Sequence, residues 1–384
     1  MMSHNKITFM HNRSILIIEN HILATLTIRR KLVETLLQKG FEVTIFASGS
    51  KVQLETARLM GCRLIDVETS GNNILRICQY SIKLWKAISA SKPDLCLTFT
   101  IRPAIFGNLI TRALSIPTIT NITGVGPLFQ SDKLFYKFAR GLYKFALQKT
   151  KKVFFQNNDD RGLFLKNNFV SKEKTELIPG SGIDHEYFKP IKPIHSKDNF
   201  SFLFIGRLLK DKGILEFVAA ASKLKREFPQ MIFVVVGPLW HQNLKQNTIT
   251  SFMLQSWIHE EIIQYHGEVS DVREYIALSD CVVLPSYREG TSNVLLEASS
   301  MERPCITTDA TGCREIVEDN VTGFLCKVAD AEDLYLKMKQ MFLLSPENRI
   351  QMGKNAREKV ISKFDKLIVI DAYLNAIEST AKQK

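Results

Sequence analysis

The sequence predicts an α/β protein made of two Rossmann-like, doubly wound domains. Three observations carry this. The chain has 384 residues, 45% of them hydrophobic, and at roughly 100–200 residues per domain that leaves room for two separate cores. Short apolar runs of strand length alternate with stretches of helical spacing, the pattern of a parallel sheet covered on both faces. The alternation breaks near Pro190 and then starts again.

Taken in order, residues 13–18 (RSILII) form an apolar run of strand length. Residues 26–39 place apolar side chains at helical spacing and stop before Gly40, a fitting helix end. Residues 42–47, 63–67, 95–99, 118–122 and 153–156 are further strands rich in β-branched and aromatic residues, with a helix around 75–89. The linker is 187–199 (YFKPIKPIHSKDN), polar, with two prolines and little periodicity. Beyond it, 201–205, 231–236, 262–266, 281–284 and 305–307 are strands, with a helix near 214–225 and a last helical stretch after Phe364. Two such units in tandem imply a cleft, because ligands of these sheets bind outside the carboxyl ends of the strands.

Composition excludes several classes. The 24 phenylalanines and the 23% charged residues are not those of a disordered chain. Seven cysteines without a C-x-x-C pair speak against a disulfide scaffold and a structural zinc site, and point to a reducing compartment. No apolar run reaches 18 residues. The run 15–18 stops at Glu19-Asn20-His21, too short to span a bilayer and without a cleavage site after it, so a cytoplasmic location is expected. The net charge of +12 is uneven: residues 1–190 carry 27 Lys and Arg against 14 Asp and Glu, and the remainder 24 against 25. That asymmetry calls for an anionic partner of the first half: nucleic acid, an acidic membrane surface or a phosphorylated substrate.

Two loops of the second half could carry chemistry. In 280–299 (DCVVLPSYREGTSNVLLEAS) a buried strand ends in a polar loop that delivers Glu289, and a helix starts near 291–293 with Ser292 and Asn293 as good capping residues. Its backbone N–H groups and dipole favour a phosphate. Glu297 follows eight positions after Glu289, on the helix. In 204–213 (FIGRLLKDKG) a strand ends at Gly206, and Arg207 and Lys212 follow. An Arg fork and a Lys point charge at such a strand end suit a diphosphate. The plain alternatives are solvated glutamates and solvent-exposed loop cations.

The pattern GR-x4-KG (Gly206, Arg207, Lys212, Gly213), then 266–280 (HGEVSDVREYIALSD), then PS-x2-EG-x6-E (Pro285 to Glu297), resembles the retaining, nucleotide-sugar-dependent glycosyltransferases of family 4. Residues 119–129 (ITNITGVGPLF) resemble the bacterial subgroup that builds O-antigen, capsule and glycoprotein glycans on lipid carriers, and 179–184 (PGSGID) is also typical. The resemblance implies the GT-B architecture, two Rossmann-like domains facing a central cleft. Residues 1–188 would be the acceptor-binding domain, with the helix of about 366–384 packing back on it, and 189–365 the donor-binding domain. It further implies that Arg207 and Lys212 hold the donor diphosphate, that Glu289 binds a sugar hydroxyl, and that Glu297 bonds the ribose. Gly206 and the backbone of Gly290, Thr291, Ser292, Asn293 and Val294 would line the donor site, with Val269 beside the base. Relatives place a histidine after the fifth strand; here Thr123 and Gly124 hold that place at the cleft, and Gly124 and Gly126 offer close backbone approach. Members of this family need no metal and no cofactor, in keeping with the lack of a D-x-D motif.

Residues 128–155 (LFQSDKLFYKFARGLYKFALQKTKKVFF) interleave aromatics with Lys133, Lys137, Arg140, Lys144, Lys149, Lys151 and Lys152. Helical spacing makes this either a sheet-covering helix with a solvated basic face or an interfacial membrane element, and the charge of the first half favours the membrane. The expected protein is therefore a glycosyltransferase peripheral on the inner face of the cytoplasmic membrane. It would move a sugar from a UDP-linked donor to a polyprenyl-diphosphate-linked saccharide. An epimerase of the same fold would alter a nucleotide sugar without any acceptor. A basic nucleic-acid-binding protein would show salt-sensitive RNA binding, but no nucleic-acid motif is present and nucleic acid is not an expected partner.

Overall fold

The computed structural model describes residues 13–67, 74–125, 129, 134–192, 199–239 and 247–381. Gly126, Lys133 and linker residues 193–198 lie outside the described residues. By packing, the chain divides into two units, one running to Ser181 and resuming at Lys366, the other Gly182–Asp365. The division falls ahead of the prolines of the linker because residues 183–188 already bond within the second unit. Ile183 N–H donates to Phe364 O at 2.8 Å, and His185 Nδ1 lies 2.7 Å from Asp365 Oδ2.

The first unit is a seven-stranded sheet of order β3-β2-β1-β4-β5-β6-β7, with all its pairings parallel. Its elements are β1 (Ser14–His21), α1 (Leu23–Leu26), α2 (Arg30–Gln38), β2 (Glu42–Ser48), α3 (Lys51–Leu59), β3 (Arg63–Asp66), α4 (Ile74–Ser91) and β4 (Leu95–Phe99). They continue with α5 (Asn108–Ala113), β5 (Thr118–Ile122), α6 (Leu134–Leu147), β6 (Lys152–Phe155), α7 (Asn158–Lys166) and β7 (Thr175–Leu177). In β1 successive residues serve opposite faces: Ile15 and Ile17 meet α2 and α3, while Leu16 and Ile18 meet α4. A strand buried on both faces reads as a continuous apolar run, and this one does.

The single helix expected over 26–39 is interrupted. Helix α1 ends before Thr27, whose hydroxyl bonds back to Leu23 O at 2.7 Å, and α2 begins only at Arg30. Between them Arg29 turns inward, where its Nη1 meets Glu19 Oε2 at 2.9 Å and its guanidinium stacks 4.0 Å above the Phe99 ring. Helix α3 starts with a capping box: Ser50 Oγ accepts from Gln53 N–H, and Gln53 Oε1 accepts from Ser50 N–H at 3.0 Å.

The second unit is a six-stranded sheet, again with parallel pairings, of order β10-β9-β8-β11-β12-β13. It comprises β8 (Ser201–Ile205), α8 (Ile214–Glu227), β9 (Ile232–Val236), α9 (Ser251–His259), β10 (Gln264–Tyr265), α10 (Arg273–Leu278) and β11 (Cys281–Leu284). Then follow α11 (Asn293–Ser300), β12 (Cys305–Thr308), β13 (Gly323–Cys326), α12 (Ala331–Leu343) and α13 (Pro346–Phe364). Helix α14 (Lys366–Ala381) returns to the first unit, burying Val369, Ile370, Tyr373 and Ile377 against its sheet. Asn121 Nδ2 donates to Tyr373 Oη at 2.7 Å. All seven cysteines are free thiols, and Cys78 is the exposed one.

Candidate functional site

The strand order of the second sheet reverses between β8 and β11, which lie side by side. The loops that leave their carboxyl ends diverge there, and such a switch point is where a parallel sheet opens a crevice for a ligand. Both chemistry-bearing loops of the sequence, 206–213 and 285–292, start at this point.

Their closeness depends on glycine. Gly213 has φ +75, and a Cβ there would stand 2.1 Å from Pro285 O. Only glycine lets the end of the β8 loop press against the end of β11. Gly312, at φ +81, does the same on the other side, where a Cβ would stand 2.4 Å from Glu289 O. Backbone hydrogen bonds hold the Glu289 loop between these walls. Tyr287 N–H donates to Asp211 O at 2.8 Å, Glu289 N–H to Thr311 O at 2.9 Å, and Ser292 N–H to Gly312 O at 3.0 Å. The Tyr287 hydroxyl adds a bond to Glu216 Oε1 at 2.7 Å, and burial together with Glu216 pushes its pKa up to about 12.

The result is an ion pair. Lys212 Nζ, from the β8 loop, bonds Glu289 Oε1, from the β11 loop, and both side chains are mostly but not fully covered. Burial, and next the negative charge of Glu289, push the neighbouring Cys313 thiol up to about 12. At neutral pH Cys313 is a protonated, inert thiol. Arg207 is exposed at the mouth of β8, directly after Gly206. Ser292 caps α11, its Oγ accepting from Leu295 N–H at 3.4 Å, and Asn293 is the first helical residue. Gly290, Thr291, Asn293 and Val294 are half-buried around that helix start, and half-buried Glu297 stands one turn further along. Val269 is half-buried past β10, after the Gly267 turn that is tied to β9 by Gly237 N–H donating to Gly267 O at 2.7 Å. Among the described residues no group of three His, Cys, Asp or Glu side chains could hold a metal ion.

Sequence reasoning missed Asp211, Glu216, Tyr287, Thr311 and Gly312. Most of them act through backbone atoms, and main-chain hydrogen bonds leave no residue-type signature. The glycine of 311–313 was a usable signal, but its meaning needs the neighbour it approaches.

In the first unit Thr123 and Gly124 follow β5 and are half-buried, Gly124 at φ +142. The basic segment is not one helix over 128–155. Helix α6 ends at Leu147, and Lys152 belongs to β6, where it pairs with Glu176 at 2.7 Å. Lys151 lies in the turn before that strand and is exposed, so it shares no helix face with Lys137, Arg140 and Lys144. Lys137 is exposed and Arg140 half-buried. Lys144 Nζ reaches Asn167 O at 3.4 Å.

Residues 187–359 match the family described as Glycosyl transferases group 1, and residues 14–157 match Glycosyl transferase 4-like. Among curated proteins the chain is similar to the UDP-Gal:alpha-D-GlcNAc-diphosphoundecaprenol alpha-1,3-galactosyltransferase of Escherichia coli. The two are 29% identical over 301 residues, 74% of this chain and 75% of that protein. The N,N'-diacetylbacillosaminyl-diphospho-undecaprenol alpha-1,3-N-acetylgalactosaminyltransferase of Campylobacter jejuni is 26% identical over 72% of this chain and 74% of its own. Among solved structures, Anabaena HepE in complex with UDP and glucose superposes with a TM-score of 0.78 at 16% identity, covering 96% of this chain and 100% of that one. That likeness shows the fold: GT-B, with two parallel-sheet α/β domains.

Proposed function

This chain belongs to the glycosyltransferases, joining a 4-like first part to a group 1 second part, and on that premise we propose that it transfers a sugar from a UDP-linked donor to a saccharide carried on polyprenyl diphosphate, with retention at the anomeric carbon. The observation that carries this reading is the Lys212–Glu289 pair at the switch point of the second sheet. A cation and a carboxylate set side by side at the end of a parallel sheet suit a substrate with an anionic diphosphate next to a hydroxyl-rich ring. The names of the E. coli and C. jejuni relatives, which specify diphosphoundecaprenol-linked acceptors, support the acceptor class. UDP in HepE and UDP-Gal in the E. coli name support the donor.

In this reading Arg207 and Lys212 bind the donor diphosphate and stabilise the charge that grows on the leaving nucleotide. Glu289 accepts from a sugar hydroxyl and fixes the anomeric carbon. Glu297 holds the ribose, Val269 lies against the base, and Gly206 with the helix start at Gly290 to Val294 lines the site. Thr123 and Gly124 belong to the acceptor side. Retention follows from attack of the acceptor hydroxyl on the face that the nucleotide leaves. Catalysis then rests on positioning and on electrostatic stabilisation of the leaving group. No helix among the described residues is long and apolar enough to cross a membrane. The protein would reach its lipid-linked acceptor from the inner face of the cytoplasmic membrane through the cations Lys137, Arg140, Lys144 and Lys151.

Calorimetry with UDP tests the donor site. Arg207→Ala and Lys212→Ala each remove a charged contact of about 1.5–3 kcal/mol, and each should weaken affinity about tenfold or more. Lys197→Ala in the linker should leave it unchanged. Parent-like affinity in both cluster variants would remove the diphosphate clamp.

A further inference from the structure

The positive charge of the first unit is concentrated in one stretch. Between Ile74 and Asn158 the sequence has thirteen Lys and Arg against two acids, Asp94 and Asp132. Helices α4, α5 and α6 come from this stretch. They lie on the same face of the first sheet, α5 touching both of the others. None of the three contains an Asp or Glu. Asp94 is occupied at the start of the sheet, where it accepts from Ser14 N–H at 3.0 Å.

Helix α4 turns Tyr80, Leu84, Ala87 and Ile88 into the core. Its outer side presents Leu75, Ile82 and Trp85, which are 74%, 56% and 45% exposed. Spacings of seven and three keep these side chains in one stripe. The exposed cations Arg76, Lys83 and Lys86 flank it. Beyond α5, on the same sheet face, α6 adds Phe138, 70% exposed, beside Lys137. Of the other described aromatics of the basic segment, Tyr143 is buried and Phe129 packs on Phe164 and Phe169, while Phe145 is 48% exposed with the Arg112 guanidinium 3.9 Å above its ring. Among the described residues of this face α4 exposes three large apolar side chains and α6 two, of which Phe145 is covered in part by Arg112.

Single exposed apolar residues need no explanation, but a contiguous stripe does. This one includes a tryptophan, the charged residues beside it on α4 are all cations, and basic α6 lies on the same sheet face. A solvated surface of mixed charge or an ordinary protein interface has no need of such a border. A bilayer with anionic headgroups supplies both halves of its complement: negative charge for the rim and an acyl boundary for Leu75, Ile82 and Trp85.

We propose that the outer face of α4, joined by Lys137 and Phe138 of α6, is the surface by which this protein docks on an anionic lipid bilayer, with α4 lying in the plane of the interface. This rests on the membrane association proposed above and says which helix inserts. The test is flotation of the full chain on vesicles of phosphatidylglycerol with phosphatidylcholine, and on phosphatidylcholine alone. The triple variant Leu75→Ser, Ile82→Ser, Trp85→Ser changes exposed side chains only and should keep parent UDP affinity. Its partition into the mixed vesicles should fall at least about tenfold. Lys83→Gln with Lys86→Gln should weaken binding to the mixed vesicles at low salt only. Brominated lipid should quench fluorescence in the parent and not in Trp85→Phe. If the triple variant floats like the parent while Lys137→Gln, Arg140→Gln and Lys144→Gln together do not, α6 is the docking element and the proposal is wrong, although membrane association stands. If the parent itself does not float, both fail. If the triple variant floats normally but loses a dimer seen by sedimentation, the stripe belongs to a second copy of the chain, and the proposal is again overturned.

Discussion

Glu289→Gln should lower turnover by more than tenfold and leave the fold and UDP binding close to those of the parent. The fold survives because the loop is held by its main chain. The Glu289 N–H bond to Thr311 O and the Ser292 N–H bond to Gly312 O are indifferent to the side chain at 289. What changes is the carboxylate that Lys212 and, in the proposed mechanism, a sugar hydroxyl both use. One charged hydrogen bond lost in the transition state costs about 2–4 kcal/mol, well past tenfold in rate. Steady-state kinetics on a lipid-linked acceptor read the effect in kcat. A kcat within about threefold of the parent, where the barrier has moved by less than about 1 kcal/mol, would take Glu289 out of the reaction.

The second large effect is on stability. Arg29→Met should cost about 3–5 kcal/mol, because it leaves Glu19 buried without its cation. Glu19 and Arg29 are both buried, and Thr25 Oγ1 also bonds the Glu19 carboxylate. Burial pushes the Glu19 carboxyl up, and Arg29, then Thr25, holds it down. Without Arg29 it rises further. The unfolded chain ionises this group near the ordinary glutamate value of about 4.3, while the folded variant keeps it protonated to higher pH. The deficit should therefore be smallest in mild acid and grow as pH rises towards neutrality. Urea unfolding followed across that range measures it. The double change Glu19→Gln with Arg29→Met should recover much of the loss, since no charge remains buried. A deficit that is independent of pH would mean that lost packing on Phe99, not the charge, is what Arg29 contributes.

The strands at the centre of each sheet were legible in the sequence to the residue. β4, β5, β8 and β11 occupy 95–99, 118–122, 201–205 and 281–284, as their runs of apolar and β-branched residues indicate. A strand covered on both faces is made mostly of apolar and β-branched residues, which marks its ends, and the polar groups it buries are paired, as Thr98 Oγ1 is with Thr120 Oγ1 at 2.8 Å and Asn121 with Tyr373. The edge strands β7 and β13 were not legible. β7 is only TEL, with two polar residues, and β13 (GFLC) opens on a glycine, so neither shows the β-branched run that marks β11 (CVVL). Helix α3 was passed over although Ser50 and Gln53 form a capping box, because its apolar face is thin.

By itself, then, the sequence determined the class of fold, the restart after the linker, and the two contiguous loops that carry Arg207, Lys212 and Glu289. Each of these is written in neighbouring residues. Only the tertiary structure decided that Lys212 pairs with Glu289, since the two lie 77 positions apart and meet because β8 and β11 are adjacent. It also broke the first long helix at Arg29, where a buried carboxylate outweighed local spacing. On α4, finally, apolar residues occur on opposite sides of the helix: Leu75, Ile77, Tyr80, Ile82, Leu84 and Trp85. Period alone cannot choose the inner face of such a helix. The sheet chose it, by receiving Tyr80, Leu84 and Ile88 and leaving Leu75, Ile82 and Trp85 outside.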